Sequence, residues 1–127
     1  MKIKVSNGEI VDKMTILEIK LDKIQNRIQL ENISKEWKIL NDCVMNIFQI
    51  FGNSKLYNLV DDLSEVNSKL WDIEDWIRDC EKEQRFDKEF VELARSVYKL
   101  NDERSKIKRQ INLLTKSELI EEKSYSK

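Results

Sequence analysis

Residues 55–84, KLYNLVDDLSEVNSKLWDIEDWIRDCEKEQ, set Leu56, Leu59, Leu63, Val66, Leu70, Ile73, Ile77 and Cys80 three and four residues apart. That spacing returns to one face of an α-helix. Three more stripes step in the same way. One is Ile10, Met14, Leu17, Leu21, Ile24 and Ile28, and the next is Leu30, Ile33, Trp37, Leu40, Val44, Ile47 and Phe51. The last is Phe90, Leu93, Val97, Leu100, Arg104, Ile107, Ile111 and Leu114. Four apolar faces must bury one another, so the pattern predicts an all-α, antiparallel four-helix bundle of long helices. Short extended segments are expected at both ends.

Local signals place the helix ends. Ser6 with Glu9 three residues on forms a capping box, and Val5 and Ile10 take the hydrophobic-staple positions. The stripe slips by two between Ile28 and Leu30, about 200° of rotation, so the chain must turn near 25–27. Asn26 followed by Gln29 is a second cap. Gly52 suits a helix end at positive φ, and Asn53 or Ser54 can cap the third helix. Asp87 caps the fourth, with Phe86 and Val91 as its staple. The expected helices are about 7–25, 27–51, 55–84 and 88–115, in one domain spanning 1–127. Residues 2–5 could form a short strand that pairs with the tail through Ile120 and Tyr125.

Composition bounds the function. The 23 basic and 24 acidic residues nearly cancel, which argues against a nucleic-acid coat or an anionic-membrane binder. No stretch approaches the length of an apolar membrane span, so a soluble, cytoplasmic protein is expected. With no histidine and only Cys43 and Cys80, zinc, haem and di-iron sites are disfavoured, and no metal or cofactor is expected. Both cysteines read as small buried hydrophobes. Asp72, Asp75 and Asp79 share a helical face that reads as solvated, with magnesium as the alternative. The cluster Arg104, Lys106, Lys108 and Arg109 matches the negative end of a helix dipole.

Arg104 is the one break in the apolar stripes. Equal rise along antiparallel helices puts it level with Thr15 or Glu18, Trp37, Asn67 or Trp71, and Asn101. Arginine keeps its charge, so burial demands a carboxylate or a bound anion. Glu18 is the nearest internal candidate by this count and Glu74 the second. Three readings stay open: an ion pair that fixes helix register, a small anionic pocket lined by Arg104, Asn101 and Trp71, or a side chain that reaches out to solvent.

The late second helix is apolar on more than one side, through Val44, Met45, Ile47, Phe48, Ile50 and Phe51. This predicts a homo-oligomer contact through Met45, Phe48 and Ile50, the alternative being a central helix covered by the chain ends. Trp76 is either a rim aromatic or a core edge.

The run Val5-Ser6-Asn7-Gly8-Glu9-Ile10-Val11-Asp12-Lys13-Met14-Thr15-Ile16-Leu17-Glu18-Ile19-Lys20 resembles the opening of a family of small uncharacterised helical proteins of bacteria and phages. Further matching blocks are 70–75 (LWDIED), 90–95 (FVELAR), 101–104 (NDER), 107–112 (IKRQIN) and 121–125 (EEKSY), while 26–66 match loosely. The resemblance implies a helical fold and no assigned activity. Its blocks are rich in charged and amide residues, and so suggest a ligand site drawn from Glu9, Lys13, Glu18, Lys20, Glu74, Arg95, Asn101, Arg104 and Lys108, to which the Arg104 layer adds Trp71. The reading adopted is a non-enzymatic homo-oligomeric bundle that binds a partner or sequesters a small anion. The alternative is a small all-helical enzyme acting on a phosphorylated or carboxylated metabolite or nucleotide. Glu89-x-x-Glu92 is one loose match to a magnesium-binding helical motif, without a clear second on a neighbouring helix.

Overall fold

Four side-chain caps punctuate the chain, and the helices run between them. In the computed structural model, which describes residues 1–123, Ser6 Oγ accepts from the Glu9 N–H and starts Asn7–Lys23 (α1). Asn26 caps Arg27–Phe51 (α2), Asn53 caps Ser54–Lys82 (α3) and Asp87 caps Lys88–Leu114 (α4), each by accepting from the backbone N–H three residues on. The turns at 24–26, 52–53 and 83–87 reverse the chain each time, which gives the antiparallel bundle.

The helices are not equivalent. α1 packs against all three others and α3 packs against α4, while α2 lies chiefly on α1. The core gathers Val11 and Met14, Val44 and Ile47, Leu56, Leu59 and Leu63, and Ile111. At 17 residues α1 is about 26 Å long, against about 43 Å for the 29 residues of α3. The α3–α4 hairpin therefore has stretches that α1 cannot cover. Ile73, Ile77, Leu93 and Val97 are only half-buried there, and Trp76 is 54% exposed.

Several local expectations change. Residues 1–6 and 115–123 form no strand, and Ile120 is exposed; Tyr125 lies outside the described residues. Gly52 has φ −60°, not a positive value. What it supplies is room, since a Cβ would run into the Phe48 carbonyl oxygen and the Tyr57 hydroxyl. Among the described residues the positive-φ positions are Gln84 and Lys116, where α3 and α4 end. There Arg85 N–H reaches back to the Cys80 carbonyl (2.8 Å) and Ser117 N–H to the Asn112 carbonyl (2.8 Å), the long bond of a Schellman turn. Phe86 stacks edge-on against Phe90 at 5.2 Å, while Val91, its expected staple partner, is exposed. Cys80 is buried as expected, but Cys43 is exposed, on a helix that lies chiefly on α1.

The three residues expected at an oligomer contact on α2 differ in exposure. Phe48 is half-buried and meets Tyr57 edge-to-face at 5.3 Å, so the chain's own packing engages it. Met45 and Ile50 are exposed. The late second helix is thus apolar on two sides, one turned to the core and one turned to solvent.

Candidate functional site

The first turn of α1 is bound by side chains from more than a hundred residues away. Gly8 N–H donates to Asn112 Oδ1 (2.6 Å), and Asn7 N–H donates to Ser117 Oγ (3.0 Å). Asn7 Nδ2 donates to Thr115 Oγ1 (3.0 Å), and Ser6 Oγ donates to the Glu121 carboxylate. With the Ser6 cap on Glu9 and the Ile10 N–H on the Ser6 carbonyl, the N–H groups that open α1 all have partners. Gly8 makes the close approach possible. A Cβ there would stand 2.5 Å from the Lys108 carbonyl oxygen and 2.9 Å from Asn112 Oδ1.

One turn further along α1, Asp12 is 1% exposed and gathers a polar layer. Arg104 grips it with a two-pronged fork, Nε to Oδ1 at 2.9 Å and Nη2 to Oδ2 at 2.5 Å. Asn67 Nδ2 donates to Asp12 Oδ1 (2.9 Å) and to Thr15 Oγ1 (2.8 Å), while Thr15 Oγ1 donates to the Asp12 carbonyl (2.7 Å). Lys108 Nζ lies 2.6 Å from Glu9 and 3.9 Å from Asp12. The hydrogen bonds to Asp12 raise the Arg104 pKa above its ordinary value, against burial, which works the other way. The layer is saturated. Among the described residues the one buried side-chain nitrogen or oxygen without a partner is Trp37 Nε1, which belongs to α2.

Beside this seam, between α4 and the C-terminal segment, lies a cleft of about 410 Å³. Lys106, Lys108 and Arg109 of α4 line one wall, and Glu121, Glu122 and Lys123 line the other. The segment is held by charge: Glu122 on Arg109, Lys123 on Asp102 at 3.7 Å, and Glu118 on Lys4 at 2.8 Å. Lys106 is exposed. The carboxylate of Glu122 thus stands where an external anion would meet Arg109.

Over its whole length, residues 1–127, the chain matches the family described as a family of unknown function, DUF6165. The chain belongs to that family. No curated protein and no solved structure matches it.

In this DUF6165 chain, the residues expected to form one site separate into groups. Glu9, Asn101, Arg104 and Lys108 come together at the α1–α4 seam, with Asn101 Oδ1 accepting from Arg104 Nη1 at 3.4 Å. Glu18 does not pair with Arg104; it is exposed and lines a small cavity with Trp37. Glu74 sits 4.0 Å from Arg78 and acts on Arg104 only through its field. Lys13 and Arg95 are exposed, and Lys20 and Trp71 are half-buried. The residues missed are Asp12, the carboxylate that Arg104 demands, and Asn112, which docks Gly8. Asp12 could have been found on a second stripe of α1, Gly8, Asp12, Thr15 and Ile19, all four of which are buried.

The arrangement limits the chemistry available at the fork. Both oxygens of Asp12 accept from Arg104 or Asn67, so this carboxylate is committed. Among the described residues no group of three or more histidine, cysteine, aspartate or glutamate side chains is placed to hold a metal ion. No helix among them is long and apolar enough to cross a membrane.

Proposed function

We propose that this chain is a non-enzymatic, self-associating helical module of the cytoplasm that binds a small anionic ligand. The ligand's place is the cleft beside α4 and not the interior of the bundle. An anion at Arg104 would have to displace Asp12, a carboxylate with almost no exposure and a bidentate hold on the guanidinium. The observation that carries the reading is the pairing of Glu122 with Arg109 in a cleft whose α4 wall is basic. An Arg fork flanked by lysines suits phosphate or carboxylate. The tail's own carboxylate is then an internal competitor for the same cation.

That competition supplies the test. Wild-type protein, Glu122→Gln and Arg109→Gln are compared by calorimetry and thermal shift against inorganic phosphate and a panel of nucleotides and carboxylates. Binding stabilises the folded state in proportion to occupancy. The expected order is tightest for Glu122→Gln, intermediate for wild type and absent for Arg109→Gln. Silence from all three proteins across the panel overturns the ligand reading.

A further inference from the structure

The outer face of α2 carries a pattern that the core does not use. Ile28, Ile39 and Ile50 are each about 70% exposed and stand eleven residues apart. Eleven residues make three turns with a remainder of only about 20°, so the three side chains form one line along the helix. Asn32, Lys35, Cys43 and Asn46 lie on the same face, and all are exposed. Lys35 is the one charge among these seven positions, in a chain that is 37% charged.

The isoleucines and asparagines of this face are placed symmetrically about Ile39, while Lys35 and Cys43 stand four residues to either side of it. From Ile39, asparagine stands seven residues away on each side, at Asn32 and Asn46, and isoleucine eleven away on each side, at Ile28 and Ile50. A contact with two-fold symmetry presents the same patch from both partners, so where position i meets the partner's position j, j also meets the partner's i. When two copies pack antiparallel about Ile39, isoleucine therefore meets isoleucine and asparagine meets asparagine.

We infer that a second copy of this chain docks antiparallel on the outer face of α2, with Ile39 against the partner's Ile39. Ile28 then lies beside the partner's Ile50, and Asn32 near the partner's Asn46. Charge selects the same direction. Lys35 and Asp42 fall on one flank of the stripe, one before and one after the centre. The two-fold rotation sets Lys35 beside the partner's Asp42, twice per dimer. A parallel pairing would instead place Lys35 beside its own copy. The eleven-residue period suits nearly straight helices, without the left-handed winding that a seven-residue repeat imposes. The stripe is about 33 Å long, a single helix-on-helix contact at the small end of stable interfaces, so association depends on concentration.

This inference rests on the self-association proposed above, and the experiment separates the two. Ile28→Cys, Ile39→Cys and Ile50→Cys are made singly in full-length protein carrying Cys43→Ser, with Cys80 left buried, and each is mildly oxidised. Sedimentation of the unmodified chain over a range of concentrations runs alongside. Only Ile39→Cys should give a disulfide-linked dimer, because only that position meets its own copy within disulfide reach. Lys35→Glu should weaken the dimer by about tenfold, and adding Asp42→Lys should restore it. Linking through Ile28→Cys and Ile50→Cys as well overturns the antiparallel register. Dimers in sedimentation with no linking at Ile39→Cys overturn the face but leave self-association standing. A monomer at every concentration overturns both.

Discussion

The α1–α4 seam and the outer face of α2 invert the usual placement of polar and apolar groups. The seam buries Asp12, Asn67, Thr15 and Asn112, and each has a partner inside the chain. The outer face of α2 exposes three isoleucines, and nothing among the described residues covers them. A buried charge without a partner destabilises a fold severely, so the chain carries its own solution at Asp12. An exposed isoleucine costs folding little, so its partner can come from another molecule. The polar groups of the seam are settled within the fold, while the exposed isoleucines of α2 are left open to the proposed second copy.

The largest expected effect breaks the first half of that contrast. Arg104→Met leaves the Asp12 carboxylate buried, with only Asn67 and the more distant Lys108 nearby. It should destabilise the fold by about 3–5 kcal/mol in urea unfolding. Asp12→Ala should cost less, because Arg104, 28% exposed at its side chain, can turn toward water. The arginine does not add a pH dependence near neutrality. Its folded pKa is raised, so its contribution is complete below the ordinary guanidinium value and is lost only as pH climbs past the raised one.

Gly8→Ala comes next. The new methyl meets the Lys108 carbonyl, a backbone atom that cannot step aside alone, so α1 and α4 must part slightly. The expected loss is about 1–3 kcal/mol, the range of an overpacked contact, read from the same unfolding curves. The smallest effect on folding belongs to the other region. At concentrations too low for the dimer, Ile39→Lys should shift unfolding by no more than about 0.5 kcal/mol, as for an ordinary surface change. If it did destabilise the monomer strongly, the outer face of α2 would be part of the fold and the contrast would fail.

Helix ends were legible because they are local. Ser6, Asn26, Asn53 and Asp87 each cap through a bond to a residue three positions away, and the apolar spacing continues directly from it. The need of Arg104 for an acidic partner was equally legible, since it follows from a fixed charge in an apolar stripe. The identity of that partner was not. Counting depth along helices treats each one as having a single buried face, whereas α1 touches all three neighbours and buries two. Asp12 lies on the second face, six residues before the expected Glu18. The same asymmetry accompanies the exposure of Cys43, on a helix that rests chiefly on α1. The docking of Asn112, Thr115 and Ser117 on the first turn of α1 joins residues over a hundred positions apart, where no periodicity carries the information.

Arg104 pairs with Asp12 inside the fold, and the sign of one substitution in two backgrounds shows whether the two side chains depend on each other. Asp12→Asn is introduced into wild type and into Arg104→Met, and urea unfolding is measured for all four proteins. With Arg104 present, the change should destabilise, because it removes half of an ion pair. With Arg104 gone, it should stabilise, because it removes a stranded buried charge. The same loss in both backgrounds, within about 0.5 kcal/mol, would contradict the account.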